Sequence, residues 1–329
     1  MNVLIALVLV AGLFLLGLFG AASGLQWLFG VALPYAAGGV FVCGLVYRVL
    51  TWANIPVPFR IPTTCGQQKA LGWIKPQKLE NPPDTWHVIG RMALEILCFR
   101  SLLRNTKTTL VDGKRLVYGT DLSLWIGALA MHWALAVVLV RHLRLMTNPV
   151  PAFVTFVEHA DGFLQIGLPV FYVTSVVLLA ALAYLLYRRL ALSQVRYISL
   201  VGDYFPLFLL LAIAGSGFWM RHIAKTDIAS VKALVLGLTH FAPAVPQSVS
   251  PLFYAHLFLV SVLLAYFPFS KLLHAPGVFL SPTRNLANTN RAIRHVNPWD
   301  YPVKVHTYEE YEDELRDKMV AAGLPVERQ

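Results

Sequence analysis

The chain has 329 residues, 57% of them hydrophobic and only 13% charged, with a formal net charge of +10. A soluble domain of average make-up is about 25% charged, so too few polar side chains remain to coat a water-soluble particle. The same composition excludes intrinsic disorder, collagen-like repeats and a disulfide scaffold. The three cysteines, Cys43, Cys65 and Cys98, form no CxxC pair, which speaks against a cysteine-ligated zinc or iron–sulfur site.

An all-α integral membrane protein with six transmembrane helices is the fold class these numbers predict. A hydrocarbon layer about 30 Å thick takes about 20 apolar helical residues to cross. Residues 2–22 and 28–50 predict the first two spans, within an N-terminal membrane segment 1–52. Residues 2–22 also have a signal-peptide reading, because Ala21-Ala22-Ser23 is small. The missing basic n-region and the immediate second span favour an uncleaved helix. Residues 53–118 form a long polar loop that opens with Ile55-Pro56-Val57-Pro58-Phe59-Arg60-Ile61-Pro62, too proline-rich for a regular helix. From Thr85 to Leu103, Val88, Met92, Ile96 and Phe99 alternate with Arg91, Glu95 and Arg100 at helical spacing. That pattern predicts an amphipathic helix on the membrane face or, equally, one packed on other helices. Spans at 120–143, 163–187, 200–221 and 252–273 then build a core over residues 119–274. The polar tail 275–329 runs through the acidic stretch Tyr308-Glu309-Glu310-Tyr311-Glu312-Asp313-Glu314, read as a docking helix or a solvated tail.

Basic residues set the orientation. With the N-terminus inside, Arg141, Arg144, Arg221, Lys225 and Lys232 are the only five of the 27 lysines and arginines on the outer side. Both termini are therefore expected on the cytoplasmic side of a multi-pass protein in a prokaryotic inner membrane. Because the basic residues are dispersed along the chain, the net charge reflects topology and contact with membrane lipid, and no nucleic-acid surface is expected.

Four histidines at membrane depth form the informative pattern. His132 and His142 fall on span three, His256 and His274 on span six. Ionisable groups in hydrocarbon are costly and point to function. At about 1.5 Å per residue the first pair is about 15 Å apart and the second about 27 Å. Antiparallel spans then set His132 level with His274 near the inner face and His142 level with His256 near the outer. Each level can place two neutral imidazoles on opposite faces of one haem iron, an arrangement suited to electron transfer. Ten residues rotate His142 from His132 by about 80°, an offset that helix tilt or supercoiling must absorb. His222 is an alternative to His256 as a ligand. Gly215-Ser216-Gly217 reads as helix packing, since small residues let membrane helices approach. HExxH, GxSxG and P-loop patterns are absent. A transporter or channel using the histidines as a proton or metal-ion path is the rival reading, though neither broken mid-membrane helices nor inverted repeats are visible. A cofactor-free anchor would leave four imidazoles unexplained.

The ten- and eighteen-residue histidine intervals resemble those of the di-haem cytochrome b (gamma) subunit of respiratory nitrate reductase, with one helix added in front. Phe59-Arg60-Ile61-Pro62-Thr63-Thr64-Cys65-Gly66-Gln67-Gln68, Phe99-Arg100-Ser101-Leu102 and Phe267-Pro268-Phe269-Ser270-Lys271-Leu272-Leu273-His274-Ala275-Pro276-Gly277 narrow the likeness. So do Ser281-Pro282-Thr283-Arg284-Asn285 and His295-Val296-Asn297-Pro298-Trp299. Together they resemble the M subunit of the membrane complex associated with dissimilatory sulfite reductase. The resemblance implies two haems b, with His132 and His274 on the inner and His142 and His256 on the outer, and exchange with menaquinone or another quinone in sulfur-compound respiration. It also implies a cytoplasmic iron–sulfur partner related to heterodisulfide reductase. A periplasmic multihaem cytochrome c, a periplasmic iron–sulfur protein and a second quinone-interacting membrane subunit complete the implied assembly.

A quinol releases two protons on oxidation, so its site needs polar groups near a haem. The inferred topology gathers Arg141, Arg144, Glu158, His159, Asp161, Arg221 and His222 at the outer level. His159 and His222 are the candidate proton relays of a quinone site, and Arg141 and Arg144 are candidate propionate contacts or interfacial anchors.

Overall fold

The computed structural model of the chain describes residues 1–55, 66–104, 107–164, 170–291, 302 and 305–327. The proline-rich stretch after Ile55, most of the Phe59–Gln68 motif and the segment from His295 to Trp299 lie outside the described residues. Among those described, six helices are long and apolar enough to cross a membrane. The protein is a multi-pass membrane protein.

Helix α1 (Asn2–Ala22) turns back through a π-helical stretch, Leu28–Ala32, into α2 (Leu33–Ala53). Next come α3 (Thr85–Cys98) and an antiparallel hairpin of β1 (Lys107–Val111) and β2 (Arg115–Gly119), in which Leu110 lies opposite Leu116. Helix α4 (Leu122–Met146) is the third span. After it stand α5 (Ala152–Asp161) and a short ladder of β3 (Gly162–Leu164) with β4 (Phe171–Tyr172). The remaining helices are α6 (Val173–Ala191), α7 (Ser193–Ile198), α8 (Val201–His222), α9 (Ile228–Thr239) and α10 (Pro251–Tyr266). Two 3-10 turns, Phe267–Phe269 and Lys271–Leu273, lead to α11 (His274–Leu280), and α12 (Tyr308–Ala321) lies in the tail.

Spans alternate, so the starts of α1, α4 and α8 share one end with the finishes of α2, α6 and α10. This is the basic end; the other is the far end. Helix α10 packs on α1, α2 and α8, while α8 packs on α6 and α6 on α4. Close approach has a cause in the sequence: a Cβ on Gly17 would lie 3.0 Å from the Cα of Ala255, so glycine sets the α1–α10 separation. At the far end α9, too short to span, seals the bundle by burying Val231 and Leu234 among Phe29, Phe253, Tyr254 and Phe258.

Three expectations are corrected. The fourth span starts at Val173, not 163, because the β3–β4 ladder intervenes and the Asp161 carboxylate accepts the Thr174 N–H at 2.9 Å near the start of α6. The sixth span is not one helix to 273. Pro268 lacks an N–H, Ser270 is extended (φ −126°, ψ 176°), and His274 opens a new helix. The helix expected over 85–103 ends at Cys98, where Phe99 takes a left-handed conformation, and its charged side is turned inward. Arg91 is 3% and Glu95 9% exposed, whereas Trp86 is 80% exposed.

Candidate functional site

Four imidazoles are held in one chemical state by their helices. His132 donates from Nδ1 to the Ala128 carbonyl at 2.8 Å, and His142 to Val138 at 2.7 Å, each to the residue one turn earlier. His274 donates to the Lys271 carbonyl at 2.8 Å. A carbonyl only accepts, so each Nδ1 carries a proton, and in the neutral ring this leaves Nε2 with its lone pair. His256 reaches the same state by another route. The Ser216 hydroxyl donates to the Ile213 carbonyl at 3.0 Å and accepts from His256 Nδ1 at 2.9 Å. Exposed His159 and His240 make the same bond to the preceding turn, so the bond alone does not mark a ligand. Pairing does.

The imidazoles of His132 and His274 have ring centres 6.0 Å apart with planes at 80°. Two metal–imidazole bonds of about 2 Å each place ring centres about 6 Å apart, and the ring planes are free to rotate about that common axis. At the other level His142 and His256 lie within electrostatic reach of each other. The offset of His142 from His132 along α4 therefore does not separate it from α10. A Cβ on Gly217 would come 3.3 Å from His256 Cε1, so glycine leaves that ring its room. In the neutral form, imidazoles with a free Nε2 and a second hydrogen bond that orients them, one pair ring to ring and the other within electrostatic reach, are the donor set a bis-histidine haem requires. The residues fit the group.

The break after α10 has a purpose in this geometry. Lys271 both accepts from His274 and ion-pairs through Nζ with Asp203 at 2.6 Å, while Asp203 accepts the Leu200 N–H at 2.9 Å. The turn that carries His274 is thereby fixed to the start of α8.

Over the His132–His274 pair sits a polar cap that joins two distant motifs. The Phe99 ring meets His132 edge-on at 4.8 Å. Arg284 binds Glu95 at 2.7 Å and donates to the Ser101 hydroxyl at 2.8 Å, and Ser101 also bonds Glu95. Glu80 pairs with Arg100 and Arg104. Gln68 donates to Asn288 at 2.9 Å, and the Asn288 N–H donates to the Pro82 carbonyl at 2.7 Å. Burial pushes the Arg91 guanidinium below its ordinary value, and neighbouring Arg284 adds to this, while Glu80 and Glu95 oppose both.

At the far end the arginines of the expected cluster pair with its two carboxylates, and Tyr172, Ser175 and Phe171 join them. Buried Arg141 pairs with Asp161 at 3.0 Å and donates to Ser175 at 3.1 Å, and Arg144 pairs with Glu158 at 2.9 Å. Both carboxylates come from α5. Tyr172 lies between two guanidiniums, 3.8 Å from Arg141 and 4.3 Å from Arg221, and Arg221 also donates to the Val170 carbonyl. His222 stacks on Phe171 at 4.1 Å, and its Nε2 is buried with no hydrogen-bond partner among the described residues. His222 and His256 thus serve different neighbours. His159 is exposed and bonds within α5.

Residues 116–295, which carry His132, His142, His256 and His274, match the family model described as nitrate reductase gamma subunit. The chain belongs to that family. It is 46% identical over 280 residues to the Hdr-like menaquinol oxidoreductase cytochrome b-like subunit of Archaeoglobus fulgidus, covering 83% of each chain. It is 40% identical over 276 residues to the protein of that name from Archaeoglobus profundus, covering 82% of each. Membership of the nitrate reductase gamma family places the chain among membrane electron-transfer subunits of the cytochrome b type. Within that frame, sequence reasoning missed Ser216, Phe99, Glu95 and Arg284. Ser216 was hidden because a Gly-Ser-Gly triplet in a span reads as packing; the others act only through contacts between distant segments.

Proposed function

We propose that this protein is a di-haem b subunit that passes electrons between the quinone pool and a cytoplasmic iron–sulfur subunit related to heterodisulfide reductase. The observation that carries the reading is the facing of His132 and His274, ring centres 6.0 Å apart, each with Nδ1 bound to a carbonyl. His132 and His274 would hold one haem at the basic end, His142 and His256 the other at the far end. Bound there, haem supplies one-electron chemistry. The chain's own residues fix the imidazole tautomers, keep the Nε2 atoms free, and fill the space between spans with side chains that exclude water.

The name of the two relatives, menaquinol oxidoreductase subunit, supports menaquinol as the quinone substrate. The quinone site is proposed at the far end, with His222 and exposed His159 as groups that accept protons and Arg141 and Arg144 closing the loop above it. The basic end would face the cytoplasm, with both termini there, a placement the lysine and arginine distribution supports. The polar cap around Glu95 and Arg284 would then meet the iron–sulfur partner. A periplasmic multihaem cytochrome, a periplasmic iron–sulfur protein and a second quinone-interacting membrane subunit are the further partners proposed, in dissimilatory sulfur metabolism.

A reduced-minus-oxidised visible spectrum of the purified subunit tests this. Two low-spin b-type components are expected. His132→Ala or His274→Ala should remove one, and His142→Ala or His256→Ala the other. Loss of the same component from His132→Ala and His256→Ala would refute the pairing.

A further inference from the structure

An apolar groove of about 590 Å³ runs between α1 and α8, within the range of about 300–1,000 Å³ usual for small-molecule sites. Leu7, Ala11 and Phe14 form one wall, and Phe208, Ala212 and Trp219 the other. On α8 these positions fall on successive turns, so they make a stripe along the span. The α1 wall lies outside residues 116–295 that match the family model. The groove is thus partly built by a helix the shared core lacks.

Besides the indole of Trp219, one hydroxyl lines it. Ser216 borders the groove and binds His256. A hydroxyl has one proton to donate and two lone pairs to offer. In Ser216 the proton goes to the Ile213 carbonyl and one lone pair to His256. What remains is one acceptor site, a single hydrogen bond away from the imidazole of His256. A carbonyl cannot use that site, whereas a hydroxyl can. His222 follows Trp219 by one helical turn toward the far end.

We propose that this groove binds a long-chain hydroquinone, with its isoprenoid chain along α1 and α8 and one ring hydroxyl donating to Ser216. This rests on the quinol reading above and adds where the ligand lies and which redox form is preferred. Reduced ligand donates to Ser216; oxidised quinone and an O-methylated hydroquinone do not.

The test uses the purified haem-loaded protein in lipid nanodiscs and a photoreactive naphthohydroquinone bearing a short prenyl chain. Expected is labelling of α1 and α8 peptides that excess menaquinol suppresses while phospholipid and the O-methylated analogue do not. Gly215→Leu should abolish labelling, because a Cβ there meets no heavy atom within 4 Å and the side chain enlarges into the groove without a backbone clash. Gly12→Leu, equally unobstructed on α1 but not lining the groove, should leave labelling intact. Labelling suppressed equally by phospholipid would make the groove a lipid crevice and overturn the proposal. So would labelling that persists in Gly215→Leu, or that falls on α5 alone. Quinol reduction of the haems, followed spectroscopically in the same wild-type sample, separates the two failures. If it proceeds while the groove stays unlabelled, only the groove assignment falls. If it does not, the quinol reading falls with it.

Discussion

Glu95 in α3 holds Arg284, far along the chain beyond the last span, at 2.7 Å, while Phe99, just past the end of α3, meets His132 edge-on. The carboxylate lies between two cations, since buried Arg91 is in its field as well. Replacing it by a neutral isostere leaves those guanidiniums without that counter-charge.

Glu95→Gln should therefore lower stability by about 1–3 kcal/mol, the cost of leaving a buried charged partner unmet. Thermal unfolding in detergent measures this, and the spectrum of the His132–His274 haem should shift with it. Unfolding that matches wild type would show that the cap is held by its other bonds.

Ser216→Ala takes away the acceptor for His256 Nδ1, so the ring loses the bond that fixes its tautomer. Second-shell changes of this kind cost about 10–100-fold in metal affinity or activity. The far-end haem should move in midpoint potential and be lost more readily to apomyoglobin, with the basic-end haem unchanged. Ser216→Thr, which keeps the hydroxyl, should restore both properties. A merely structural role would not show that rescue.

Asp121 caps α4 by accepting the Leu124 N–H at 3.0 Å and ties it to α6 through Arg188 at 2.6 Å. The Leu124 bond, with Arg188 and Ser123 helping and burial opposing, holds its carboxyl at about 2, below the usual 3.8. A carboxyl strengthened as an acid on folding stabilises the fold above its unfolded value and loses that contribution as pH falls toward the folded one. Asp121→Asn should thus cost a constant amount at every pH above 3.8, with the gap to wild type closing only as pH approaches about 2. Unfolding midpoints across a pH series check this. A gap that closed near neutral pH would point to another group.

Gly17→Leu should separate α1 from α10, since even a Cβ there meets the Ala255 backbone at 3.0 Å and Phe258 at 3.1 Å. Overpacking of this kind costs about 1–3 kcal/mol. Gly39→Leu, where a Cβ meets nothing within 4 Å, is the control. Equal stability of the two variants would mean that α1 is not close-packed at Gly17.

Much of the architecture was legible from the sequence because its rules are local. Span positions follow from runs of apolar residues, and the levels of the four histidines follow from counting turns. The break at Pro268 escaped that count, as Phe267-Pro268-Phe269 is apolar enough to pass for helix, yet His274 still meets His132. Helix α5 escaped because its ten residues fall in the short outer connection ahead of the fourth span, although its carboxylates Glu158 and Asp161 were already placed at the outer level with Arg141 and Arg144. The surroundings of α3 were left open between the membrane face and packing on other helices, and the sequence could not decide between them. Charged residues at helical spacing suggest a face toward water, and only the segment around Arg284 and Asn288 makes that face a buried one. Sequence order carries no sign of such a contact.

The placement of α1 also governs how the protein is made. Its neighbours are α8 and α10, and its first turn is tied by Asn2 to the Ser199 carbonyl at 3.0 Å. All of these are synthesised long after α1 has left the ribosome. Apart from the following stretch at Phe29, the helix therefore lacks its partners in lipid while much of the chain is translated, which suits a span with no charged residue between Asn2 and Ala22. Helices in a bilayer gain little from hydrophobicity alone when they pair, and close fit decides whether they do. The glycine at position 17 then acts as a late latch: α1 inserts well before its partners, and the close fit at Gly17 forms only once α10 arrives to meet it.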